Sequence, residues 1–123
     1  IVTTVIGRVC EEDEIDEYLN PARNIYTLYV GGMGAKSKNF YYNLFCEYGY
    51  EDIADDLQNL YLSGNKKESE KMFPKELLDE LTLVGTKKDI EKKIENWKES
   101  NVTEISLSLP IDFETVKFIK ELL

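Results

Sequence analysis

Histidine is missing altogether from the 123 residues. Its absence removes imidazole acid–base catalysis, the Ser-His and Cys-His nucleophile pairs and the common zinc ligand sets. Whatever chemistry occurs must be borrowed. Cysteine is nearly as scarce. Cys10 and Cys46 stand far apart with no CxxC spacing, which fits free thiols used for packing in a reducing compartment. No apolar run approaches the roughly 18 residues that argue for a membrane-spanning helix. No basic segment followed by an apolar one opens the chain, so nothing targets it for export and a cytoplasmic location is expected. Basic residues are the minority, 15 Lys and Arg against 24 Asp and Glu. The net charge of -9 repels phosphate backbones and anionic lipid alike. Neither nucleic acid nor membrane is an expected partner.

The 42% apolar content is enough for one core and excludes disorder. The length fits one domain, yet it is only about half of the roughly 250 residues of an eight-stranded barrel. The chain opens on Ile1-Val2-Thr3-Thr4-Val5-Ile6, inside an apparent strand, which makes a truncated or processed product the expectation. Residues 2–10, rich in Val, Ile and Thr, read as a strand buried on both faces. Glu11-Glu12-Asp13-Glu14 complements a helix N-terminus, and apolar residues from Ile15 to Tyr29 follow at near-helical spacing, with Pro21 expected to kink the helix.

Gly31-Gly32-Met33-Gly34 is expected to stop that helix, and Ser37 or Asn39 to cap the next, which Gly49 ends. Helices are further expected from Glu51 to Leu62 with Gly64 as its C-terminal stop, from Pro74 to Leu81, and from a capping box at Thr86 and Asp89. Residues 102–109 alternate apolar and polar as a strand does, Pro110 closes them, and a last helix starts at Asp112 or Glu114. The pattern is α/β: two parallel strands, near 2–10 and 102–109, separated by a long helical insertion. Two strands leave both ladder edges unpaired and require further strands or another chain.

Tyr29-Val30-Gly31-Gly32-Met33-Gly34, Lys38-Asn39-Phe40-Tyr41 and Tyr48-Gly49-Tyr50-Glu51 follow one another in an order that resembles the luciferase-like, deazaflavin-dependent oxidoreductases. Leu57 to Gly64, Pro74 to Asp79, Leu83-Val84-Gly85-Thr86 and Trp97 to Leu109 continue the resemblance over nearly the whole chain. Asn101 and Lys87 depart from it, where the family carries Gly and Pro. The resemblance implies the C-terminal part of a (β/α)8 barrel, about its last two strands, with 1–123 as one α/β unit. It implies coenzyme F-420 as cofactor and hydride transfer between the deazaflavin and a small organic substrate, with FMN-dependent monooxygenation as the alternative. A fragment lacking the upstream strands is expected to be inactive by itself. A rival reading is a non-catalytic, self-associating α/β module, and a homo-oligomer is expected in either case.

Candidate cofactor-binding residues are Tyr29, Gly31, Gly32, Met33, Gly34, Lys38 and Tyr41. Glycine backbone amides can face a phosphate or ring, Lys36 and Lys38 add positive charge, and two of the seven tyrosines between Tyr18 and Tyr50 flank the loop. The plainer alternative is a helix stop among packing aromatics. No strand precedes this loop, which disfavours a dinucleotide or P-loop fingerprint. Arg8 and Arg23 can meet a cofactor anion, though an ion pair with the nearby Glu cluster is the simpler use. The acidic run Glu11 to Glu17 reads as a solvated helix start, Trp97 as core and Lys87-Lys88 as surface. No catalytic residue and no metal ligand is identified.

Overall fold

The computed structural model describes residues 1–108 and 112–123. In chain order the elements are β1 (Val2–Val9), a 3-10 turn (Glu12–Glu14), α1 (Ile15–Gly32), α2 (Phe40–Phe45), a wide π-type turn (Cys46–Tyr50), α3 (Glu51–Leu62), α4 (Lys66–Met72), α5 (Lys75–Glu80), β2 (Leu83–Gly85), α6 (Lys87–Lys98), β3 (Glu104–Ser108) and α7 (Phe113–Leu122). The chain forms two compact units, Ile1–Pro21 with Glu76–Leu123, and Ala22–Lys75.

The first unit is a parallel three-stranded sheet in the order β2-β1-β3. The central strand shares itself out along its length. Gly7, Arg8 and Val9 pair with Leu83, Val84 and Gly85, while Val2 to Ile6 pair with Glu104 to Ser108. The expectation of two strands is corrected to three. β2 has only three residues, all buried, and so offers no alternation to read. The strand expected over 102–109 is observed over Glu104–Ser108; Leu109, Pro110 and Ile111 lie outside the described residues.

Alternation on β1 sends Val5, Gly7 and Val9 to one face. Val5, Leu83, Ile90, Ile94 and Ile119 form the core there, with Val9, Trp97, Ile105, Leu107, Phe118 and Leu122 packed against it. α6 and α7 supply the helical side of that core. Gly7 is required by the close approach, since a Cβ would stand 3.2 Å from Leu107 Cδ2 and 3.5 Å from Ile119 Cδ1. The other face carries Thr4, Arg8, Glu104, Ser106 and Ser108, exposed or half-buried, beside the buried Ile6.

The caps of this unit follow the expected chemistry. The Thr86 hydroxyl accepts from Asp89 N at 3.3 Å, and Asp89 Oδ2 accepts from Thr86 N at 3.0 Å, closing a capping box at the start of α6. Asp112 Oδ1 accepts from Thr115 N at 2.6 Å and starts α7. Thr115 Oγ1 in turn accepts from Val9 N at 2.9 Å, fastening the end of β1 to the first turn of α7.

The second unit is helical. Phe45 stacks on Tyr50 at 5.1 Å between centroids and meets Phe73 at 5.5 Å, while Tyr26 stacks on Phe73 at 6.1 Å. Ala54 and Leu57 of α3 are fully buried. α4 was not expected from the sequence: Lys66 to Met72 has no apolar stripe, and it is joined to α3 by a polar contact, Ser69 Oγ donating to Leu57 O at 2.7 Å. α1 runs on through Gly31 and Gly32, past the stop expected at the first of them, and through Pro21.

α3 ends as its sequence implies. Gly64 has φ 90°, its N–H donates to Tyr61 O at 3.1 Å, and Asn65 N donates to Leu60 O at 2.9 Å, the paired bonds of a Schellman motif. Gly49 takes φ 94° within the wide turn. A side chain is disfavoured in the left-handed region, so Gly64→Ala should lower stability by about 1–2 kcal/mol in urea unfolding monitored by far-UV circular dichroism. Unchanged stability would mean that α3 does not end on a left-handed residue.

Candidate functional site

All seven candidate cofactor-binding residues belong to the second unit, around the turn that joins α1 to α2. That turn is held by Asn39, which is 1% exposed. Its Nδ2 donates to Tyr29 O at 2.9 Å and Val30 O at 2.8 Å, and its Oδ1 accepts from Tyr42 N at 3.1 Å. One side chain therefore satisfies two terminal carbonyls of α1 and an orphan amide of α2. Gln58 Nε2 adds a longer bond to Val30 O, 3.4 Å.

Tyr29 and Tyr41 come together, their rings stacked with centroids 4.8 Å apart and planes 24° apart. Phe40 stands edge-on to Tyr41 at 5.4 Å. Phe40, at 68% exposure, and Tyr41, at 38%, present ring surface to solvent. Gly31 and Gly32 lie in the last turn of α1 against Tyr61: a Cβ at either would come within 2.6 Å of that side chain. Gly34 has φ 109°, and Lys38 N donates to Ala35 O at 2.8 Å, closing the turn. Met33, Gly34 and Lys38 are exposed. Lys36 is engaged, its Nζ donating to Asn59 Oδ1 at 2.8 Å. Acidic and basic residues are equal in number over 22–75, so the net charge of -9 falls on the first unit and an anion meets no net repulsion from the second.

Beside this turn, on α2 and α3, stands a polar pair that the sequence did not bring out. Tyr42 Oη donates to Asp55 Oδ1 at 2.8 Å. The hydrogen bond to Asp55, helped by burial and by Cys46, pushes the Tyr42 phenol up to about 12. Partners 13 residues apart on different helices leave no local signal. Because the folded value lies above the ordinary phenol range, the stability that Tyr42 contributes is present below about pH 10 and lost as the pH rises through its folded value. An alkaline ultraviolet titration of tyrosine should show one phenol ionising near pH 12 in the wild type and shifted towards pH 10 in Asp55→Ala. Identical titrations would break the assignment.

In the first unit, the C-terminal end of β1 carries Arg8 and Cys10. Arg8 does not pair with the neighbouring acidic run. Its Nη1 lies 2.5 Å from Asp112 Oδ2, its guanidinium sits 4.5 Å from the centroid of the Tyr18 ring, and Nη2 donates to Tyr18 Oη at 3.2 Å. Glu11 to Glu14, Asp16 and Glu17 are exposed, and Glu14 Oε2 accepts from Glu11 N at 2.9 Å, as expected of a solvated helix start. Burial, then Glu14, push the Cys10 thiol up, which suits a packing role. No group of three or more His, Cys, Asp or Glu able to hold a metal occurs among the described residues. No helix among them is long and apolar enough to cross a membrane.

Burial works to raise the Asp112 carboxyl, but hydrogen bonds from Thr115 and the charge of Arg8 outweigh it and hold the carboxyl below the usual range. A depressed carboxylate stabilises the fold above its unfolded value and loses that contribution as the pH falls through the folded one. Melting temperatures followed from neutral to acid pH should therefore fall more gently in Asp112→Asn than in the wild type. Parallel curves would remove Asp112 from the acid limb.

No family model matches the chain, and no solved structure matches it. The chain is similar to a Mycobacterium tuberculosis protein provisionally named as a coenzyme F-420-dependent oxidoreductase, with 36% identity over 76 residues. The match covers 62% of this chain and 22% of that protein, so the chain spans well under half the length of its relative.

Proposed function

We propose that this chain is the C-terminal portion of a coenzyme F-420-dependent oxidoreductase of the luciferase-like class, built on a (β/α)8 barrel, in which hydride passes between the deazaflavin and a small organic substrate. The observation that carries this reading is the 36% identity with the mycobacterial relative, whose name supplies the coenzyme and the reaction class. The parallel sheet supports it, since β2 and β3 each keep an outer edge unpaired among the described residues. A barrel would pair those edges. The same edges favour further strands of one polypeptide or self-association into a homo-oligomer. A cytoplasmic location belongs to the same proposal.

The residues around the α1–α2 turn fit such a cofactor in part. Tyr29 and Tyr41 offer a stacked pair for a flat ring system, and Lys38 with the open backbone at Gly34 suits an anionic group. Met33 adds an exposed, adaptable apolar surface. Gly31 and Gly32 act at one remove, letting Tyr61 pack against the last turn of α1 and setting where the turn begins. When bound, the coenzyme supplies the hydride chemistry. This chain binds and orients it, and with no histidine it offers no imidazole for proton transfer.

Fluorescence anisotropy of coenzyme F-420, titrated with the purified chain and with FMN as control, tests the proposal. Saturable, F-420-selective binding at micromolar concentration is expected, weakened roughly tenfold in Lys38→Ala, the equivalent of one charge-assisted contact. A folded chain that leaves the anisotropy unchanged would move the coenzyme away from this turn.

A further inference from the structure

We infer that Asn39 is the positioning residue for the Tyr29–Tyr41 ring pair; its bearing on coenzyme binding rests on the function proposed above. Three observations converge on it. Asn39 is buried to 1% exposure although both its amide groups are polar, so every hydrogen bond it makes substitutes for lost water. Both of its donor bonds reach the end of α1, one of them the carbonyl of Tyr29 itself. Its acceptor caps α2 through Tyr42 N, so Tyr41 lies in the turn that Asn39 opens.

Gln58 adds a longer bond to Val30 O, and the Lys38 N to Ala35 O bond closes the turn between the rings, but Asn39 alone among these residues bonds both to the Tyr29 carbonyl and to the first turn of α2. Between them, Met33 to Lys38 are exposed, and Gly34 needs a left-handed conformation that constrains the chain less than a side chain would. A single aromatic stack is too weak alone to order an exposed turn against its conformational entropy. Asn39 supplies the bonds that tie the two ring-bearing segments directly to each other. Its carbonyl oxygen could be replaced by a serine or aspartate oxygen as a helix cap, but neither replacement can donate to both Tyr29 O and Val30 O. The cap and the clamp are thus separable by substitution, which makes the inference testable.

Asn39→Ser and Asn39→Asp keep an N-cap acceptor for α2; aspartate removes both donor bonds, and serine, with one hydroxyl proton, can keep at most one. We expect both variants to keep the far-UV spectrum of the wild type, to lose the nuclear Overhauser contacts between the Tyr29 and Tyr41 rings, and to bind coenzyme F-420 at least roughly tenfold more weakly. Ring contacts that persist in a folded Asn39→Asp chain would overturn the inference, as would unchanged coenzyme affinity where the wild type binds. If the wild type binds no coenzyme but the ring contacts vanish in the variants, Asn39 keeps its positioning role and only the functional reading fails. Should neither variant fold, hydrogen exchange of the wild-type Asn39 amide protons decides: strong protection supports the clamp, and exchange at the rate of a free amide overturns it.

Discussion

The first unit depends on β1 serving two neighbours with different parts of its length. Its C-terminal residues hold β2 and its N-terminal ones hold β3, so the sheet is staggered from the start. Everything else in that unit fits this geometry. Gly7 stands where the two pairings meet and must be small because side chains from β2, β3 and α7 converge over it. Val5 and Val9, two residues to either side, then reach the core formed with α6 and α7. The end of β1 is pinned twice to α7, through Val9 N to Thr115 and through Arg8 to Asp112.

The second unit solves a different problem, that of helix ends close together. The last carbonyls of α1 and the first amides of α2 have no partners within their own helices, and burial makes it costly to leave them so. Asn39 joins the two sets directly. The α3–α4 junction is made differently: Gly64 turns the chain through a Schellman motif, and the buried Ser69 hydroxyl of α4 donates to the Leu57 carbonyl inside α3.

Where the chain signals itself locally, the sequence was legible. The cap read at Thr86, those read as Ser37 or Asn39 and as Asp112 or Glu114, which fall on Asn39 and Asp112, the stop at Gly64 and the β-branched run of β1 all depend on neighbours within a few residues, while Gly49 turns left-handed as a stop would but four residues past the end of α2. β2 escaped because three buried residues have no period, and α4 because its packing rests on a serine rather than an apolar stripe. The candidate site was legible as a composition, tyrosines around a glycine loop, but not as an arrangement. That Tyr29 lies on Tyr41, that Arg8 meets Asp112 rather than the adjacent carboxylates, and that Tyr42 reaches Asp55 are long-range facts carried by no local pattern.

Gly31 and Gly32 are half of a joint whose other half is Tyr61. The phenol ring lies where two Cβ atoms would otherwise stand, so neither partner is free to change alone. A methyl at position 31 or 32 demands a smaller side chain at 61, and a smaller side chain at 61 leaves a void above bare helix backbone. Across related sequences these three positions should therefore drift in concert: a lineage that gives up the glycine pair must shed the tyrosine with it.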